Sequence, residues 1–197
     1  MSDEYLQKAL TALQEPSVFW ALDLLREKNP VGKYQRLQHY VDSGNKFYEN
    51  PEFQKLFCDF YRVRLSRIAI SQIFRKLAGK KRLSFEVVLR YFNEVLQNDK
   101  CYASYASKVL HTLDRDMPIL DGNVAKVLGI PQSRYQGDRN RAIQTYADLI
   151  AVFKKIKTLK TVAAPFDAVF PNHSDIPLTK KIDFVFWVLG TQNDSGI

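Results

Sequence analysis

Cysteine is nearly absent: Cys58 and Cys101 are the only two. They lie far apart, and neither has the pair spacing of a zinc or redox motif. Both read as buried free thiols of a reducing compartment. The three histidines, His39, His111 and His173, are scattered and read as packing or surface residues, so no metal site is expected. Glycine is scarce at eight residues, and no Gly-rich loop of the kind that cradles phosphates is present; Gly79-Lys80 lacks both the upstream Gly and a following Ser or Thr. A Gly-x-Ser-x-Gly nucleophile elbow is also missing. No bound cofactor is expected. Asp114 and Asp116 read as turn-shaping residues rather than cation ligands. No run approaches the roughly 20 apolar residues of a membrane span, and the acidic start MSDEYLQKAL does not resemble a signal peptide. The location expected is the cytoplasm, or the nucleus in a eukaryotic host.

What the chain does have is core material. Of 197 residues, 46% are hydrophobic and 13% aromatic, with 13 Phe and 10 Tyr. A chain of this length buries roughly 70% of its unfolded surface and folds without disulfides or metal. Basic residues exceed acidic ones by 29 to 21, a formal charge of +8, and the pI is near 9.4. That excess permits, without requiring, a phosphate-rich partner.

Helical periodicity dominates the pattern. Leu6, Leu10 and Leu13 are spaced four and three apart, and Phe19, Leu22 and Leu25 form the expected inward stripe of a second helix. Asn29-Pro30 breaks that helix, and a loop containing Gly32 leads to a third, shorter one. Pro51 opens a helix bearing Phe53, Leu56, Phe57 and Phe60. Ile68, Ile73 and Leu77 mark the next, with Gly79 at its C-terminal end. Ser84 caps the clearest helix, with Phe85, Val88, Leu89, Phe92, Val95 and Leu96 at core spacing. A helix around Tyr105–Leu113, a short one from Asp121, a long one after Gly137-Asp138 and two more near the C-terminus complete the pattern. Phe184–Leu189 is the one run that fits a strand as well as a buried helix face. The expected fold is all-α, an orthogonal multi-helix bundle over residues 1–197, undivided or split near 80–100 into two lobes with a cleft.

Two basic features suggest an anion-binding surface. Lys80, Lys81 and Arg82 follow a helix C-terminus, where cations are favoured in any case. Ser104, Lys108, His111 and Arg115 fall at steps of four, three and four, hence on one helical stripe. Such a stripe suits a phosphate backbone or simply solvent. Asp121 precedes a new helix and reads as its N-cap, worth about 1 kcal/mol.

Ala106-Ser107-Lys108-Val109-Leu110, then Pro118-Ile119-Leu120-Asp121-Gly122-Asn123-Val124, then Val127-Leu128-Gly129, resemble the helix-hairpin-helix base-excision DNA glycosylases. The resemblance spans the 26 residues Tyr105–Ile130. It implies a DNA-binding repair protein in which Asp121 is the catalytic carboxylate and Lys108 the Schiff-base nucleophile of a glycosylase/lyase. Ser104, His111, Arg115, Lys80, Lys81 and Arg82 are the candidate DNA contacts, and Phe47, Tyr48 and Tyr102 candidate stacking partners for a base flipped from the duplex. The chain departs from the family in three ways: Asp99–Ser104 contains no Gly where the family's hairpin carries Gly-x-Gly, the Lys108-to-Asp121 interval is shorter, and the iron–sulfur cysteines are absent. The other reading is a non-catalytic helical module that binds nucleic acid or protein.

Overall fold

Short polar side chains decide where most of the helices start. The structure, a computed structural model, describes residues 2–26, 28–44, 46–80, 82–159 and 162–192. Helices α1 (Ser2–Gln14) and α2 (Ser17–Arg26) are followed by α3 (Pro30–Asp42), whose first turn is capped by the Asn29 side chain accepting the Gly32 N–H. Asn50 caps α4 (Pro51–Tyr61), Ser66 caps α5 (Arg67–Leu77) and Ser84 caps α6 (Phe85–Leu96), each accepting backbone N–H groups of the first turn. This is the arrangement that satisfies donors otherwise left open at a helix start. Then come α7 (Ala103–Leu113), α8 (Gly122–Leu128) behind its Asp121 cap, and α9 (Arg139–Lys157) behind Asp138. The last two are α10 (Ala164–Val169) and α11 (Leu178–Gln192). Single 3-10 turns lie at Phe47–Glu49 and Gln132–Arg134. Among the described residues there is no strand, so the fold is all-α; Phe184–Leu189 is part of α11.

Three details differ from the periodicity. Pro30 starts α3 instead of ending a helix before a Gly32 loop, because proline costs no hydrogen bond at the first helical position. On α2 the inward face is Val18, Ala21 and Leu22, while Phe19 is 45% and Trp20 59% exposed. On α5 the buried face runs through Ile70, Ile73, Phe74 and Leu77, leaving Ile68 72% exposed. A stripe read every three residues, as on α2, drifts around a helix of 3.6 residues per turn, and the five-residue step from Ile68 to Ile73 on α5 turns Ile68 well away from the buried face.

The buried side chains of α1 to α11 join in one apolar core. Near α4 and α5 it is almost wholly aromatic: Phe53 meets Phe47, Phe57 and Phe74 with ring centroids 4.8, 6.1 and 5.2 Å away. Most of these contacts are edge-to-face, the geometry ring quadrupoles favour. At the other end of the core α8 packs chiefly on α11. The approach is close because Gly190 has no side chain: a Cβ there would lie 2.5 Å from the Asn123 carbonyl oxygen and 2.6 Å from its Cα. Among the described residues no helix is long and apolar enough to cross a membrane.

Gly190 therefore sets the seat of α8, and with it the position of Asp121. Gly190→Ala should lose about 1–3 kcal/mol of unfolding free energy in urea titration, although Ala favours a helix interior by ~1 kcal/mol over Gly. A neutral or stabilising outcome would show that the contact is not tight in solution.

Candidate functional site

Asp121 caps α8 with one carboxylate oxygen: Oδ1 accepts the N–H of Asn123 and of Val124, both at 3.1 Å. That leaves Oδ2, which lies 3.6 Å from the Lys108 Nζ on α7. Lys108 in turn donates to the Tyr61 carbonyl at the end of α4, 3.1 Å away. Both side chains line a cleft of about 550 Å³. Thus α4, α7 and α8 bring together the two residues that the glycosylase-like motif singles out.

The segment before Asp121 is held by two buried hydroxyls. The Ser107 hydroxyl accepts the Leu120 N–H at 3.0 Å and donates to the Ser104 carbonyl at 2.9 Å. The Tyr146 hydroxyl donates to the Pro118 carbonyl at 2.8 Å. Unpaired buried backbone groups are costly, so these bonds fix the extended stretch from Pro118 to Asp121 against α7 and α9.

A second Lys–Asp pair completes the floor. Lys180 and Asp183 of α11 are 2.6 Å apart, with side chains only 3% and 6% exposed. The Lys180 ammonium sits 4.6 Å from the ring centre of Phe184, 5.1 Å from Phe60, 5.2 Å from Tyr34 and 5.3 Å from Tyr61. Such rings stabilise a desolvated cation through their negative faces. Burial lowers the Lys108 pKa; the Asp121 and Asp183 carboxylates oppose that shift, and the Lys180 ammonium adds to it. The amine of Lys108 is therefore easier to deprotonate than a surface lysine, as a nucleophilic amine requires.

The mouth is different in character. Trp187 stands at the edge with the Arg62 guanidinium 5.6 Å from its ring centre. Lys28, Lys33, Arg36 and Lys55 line the same cleft and are all exposed. No family model, curated protein or solved structure matches this chain.

The remaining residues expected at a site are dispersed. Ser104 lines the cleft. His111 is fully buried, its Nδ1–H donating to the Met117 carbonyl at 2.6 Å, and so does not reach the surface. Arg115 is tied to Gln38 at 2.6 Å and to Asp42. With Lys80 it borders a separate hollow. Arg82 is exposed and lines neither cavity, and Lys81 lies outside the described residues. The stripe Ser104–Lys108–His111–Arg115 is thus largely buried rather than solvated, because other helices cover α7. Phe47, Tyr48 and Tyr102 do not line the cleft; its aromatic residues are Phe60, Tyr61, Phe184 and Trp187. In sequence those four look like ordinary core positions, and only the juxtaposition of α4 with α11 reveals them. Among the described residues no cluster of His, Cys, Asp and Glu could hold a metal ion.

Two outcomes follow. Ser107→Ala leaves the Leu120 N–H buried without its partner and should cost about 1–3 kcal/mol in denaturant titration. His111 supplies a pH dependence. Burial, then repulsion from Lys180, pushes its pKa down to about 3, against about 6.5 in an unfolded chain. The unfolded state therefore binds the proton more readily, so this contribution is intact above pH 6.5 and is lost as the pH falls below it. Between pH 7.5 and 5.0 the fold should lose about 2 kcal/mol from this group, and His111→Gln should flatten that slope.

Proposed function

We propose that the chain is a divergent DNA glycosylase, or glycosylase/lyase, that draws a nucleotide into the cleft and cleaves its N-glycosidic bond. The observation that carries this reading is the meeting of Asp121 and Lys108 at the cleft floor, one carboxylate oxygen facing an amine. Cleavage sends the electron pair of the C1′–N bond out with the base and leaves positive charge on the sugar. Asp121 Oδ2 is suited to stabilise that charge, because the peptide N–H groups on Oδ1 hold it in place beforehand. Water adding at C1′, with one of its protons passing to the departed base, gives an abasic sugar. If Lys108 adds instead, its neutral amine forms the bond to C1′; one amine proton passes to the departed base and a second to the ring oxygen O4′ as the C1′–O4′ bond breaks, leaving a Schiff base. The aromatic lining offers faces on which an extruded base can stack.

One observation favours a second reading, a non-catalytic nucleic-acid-binding module. Lys108 is already engaged by the Tyr61 carbonyl and by Asp121, and Asp121 already serves as a helix cap, so each residue has a structural use without chemistry.

The substitution Asp121→Asn separates these readings, since Asn also caps helices well and the fold should persist. Duplexes carrying uracil, alkylated or oxidised bases should be cleaved by the native chain and at least ~100-fold more slowly by the variant, the scale typical of losing one preorganised stabilising group. Borohydride should trap a covalent DNA adduct that Lys108→Gln abolishes if the amine is the nucleophile. DNA binding that survives Asp121→Asn, with no lesion cleaved by the native chain, would leave the binding module standing.

A further inference from the structure

The charges around the cleft are divided by wall. Every cation contributed by α7 and α11 is buried and paired: Lys108 with Asp121, and Lys180 with Asp183. Every exposed cation comes from α3, α4 and the turns beside them: Lys28 in the turn before α3, Lys33 and Arg36 on α3, Lys55 on α4, and Arg62 just past its end. Lys28 and Lys33 make no ion pair with a described residue. Arg36 reaches Glu52 only at 3.7 Å, with both side chains about two-thirds exposed. Lys55 pairs with Asp59 one helical turn away, also exposed. Exposed pairs of this kind are weak, and a phosphate can replace the carboxylate at little cost. The floor is therefore neutral as a whole, while on the α3–α4 rim the cations outnumber the carboxylates of Asp59 and Glu52.

We infer that this rim, built on Lys28, Lys33, Arg36 and Lys55, is the phosphate-binding surface along which a DNA strand runs while one of its nucleotides enters the cleft. The inference rests on the DNA reading of the cleft. Lys33 and Arg36 stand one turn apart on α3, close enough to serve neighbouring phosphates of one strand. The turn between α6 and α7, where the glycosylase hairpin would lie, is closed on itself. Asn98 spends its amide on the Leu96 carbonyl and the Tyr102 hydroxyl, and its Oδ1 accepts the Lys100 N–H. The Lys100 amide is thus spent inside the turn, and the charge that a DNA backbone needs is found on α3 and α4. A neutral floor beneath a cationic rim also suits a nucleotide in which the base is uncharged and the negative charge is confined to the flanking phosphodiesters.

The test is fluorescence anisotropy with a labelled duplex carrying a stable abasic analogue, titrated at several salt concentrations between 50 and 200 mM. The native chain should bind with strong salt dependence. Lys33→Gln with Arg36→Gln should lower the slope of log K against log salt by about 1.8, two phosphate contacts, and weaken binding at least ~10-fold at 100 mM salt. The exchange Lys33→Arg with Arg36→Lys should retain most of the slope. The control Arg134→Gln with Lys154→Gln, both exposed and neither lining the cleft, should leave it unchanged. Salt-dependent binding that the rim variant does not alter, or that the control alters equally, overturns the rim while sparing the DNA reading. No salt-dependent binding by the native chain overturns both. A rim effect without lesion cleavage upholds the surface and removes only the catalysis.

Discussion

The hydrogen bond between the Ser107 hydroxyl and the Leu120 N–H, 3.0 Å long and fully buried, is the contact on which the site depends. Leu120 immediately precedes Asp121, so this bond and the Tyr146–Pro118 bond fix an extended segment that has no regular structure of its own to satisfy its backbone. Once Leu120 is held on α7, Asp121 emerges beside Lys108, one residue along α7 from the serine. The N-cap bonds then orient the carboxylate, and Gly190 lets α11 close over the start of α8. Three helices thus define the position of one carboxylate oxygen, the rigidity that an electrostatic stabiliser requires.

What could be read from the sequence follows from how local each determinant is. Helix starts were legible at Pro51, Ser84, Asp121 and Asp138 because a cap needs only its own first turn. The all-α class was legible because the 3.6-residue period is repeated along the chain. Asp121 and Lys108 stood out through the short motif around them, and the structure adds the 3.6 Å that joins them. The stripe through His111 and Arg115 misled because periodicity marks a polar face without saying what covers it. His111 lies under the Tyr34 ring, 5.9 Å between centroids, and Arg115 is bound to α3. Lys180 and Asp183 were invisible for the same reason. Spaced three apart on a C-terminal helix, they look like an ordinary surface pair, and burial by α3 and α4 makes them part of a cleft floor.

The two Lys–Asp pairs on that floor raise an energetic question. Burying an ion pair costs several kcal/mol per ion in desolvation, and the attraction between the partners often does no more than offset it. Apolar residues of similar volume would fill the space between α4, α7 and α11 at least as stably. The aromatic rings around Lys180 reduce the cost but do not remove the carboxylate beside it. Burial therefore gives no stability argument for retaining the charges of Lys108, Lys180 and Asp183, whereas on the proposed reading a site that stabilises developing charge needs such groups held in a fixed arrangement. Under the proposed glycosylase reading, the division of charges around the cleft has the same logic. Cations that hold a mobile polyanion work best exposed and loosely paired, so that exchange with counterions drives binding. Charges that act on a reacting sugar work best buried and rigid. On that reading, exposed cations on α3 and α4 and paired charges on α7, α8 and α11 keep these two demands on different helices, so neither has to be compromised for the other.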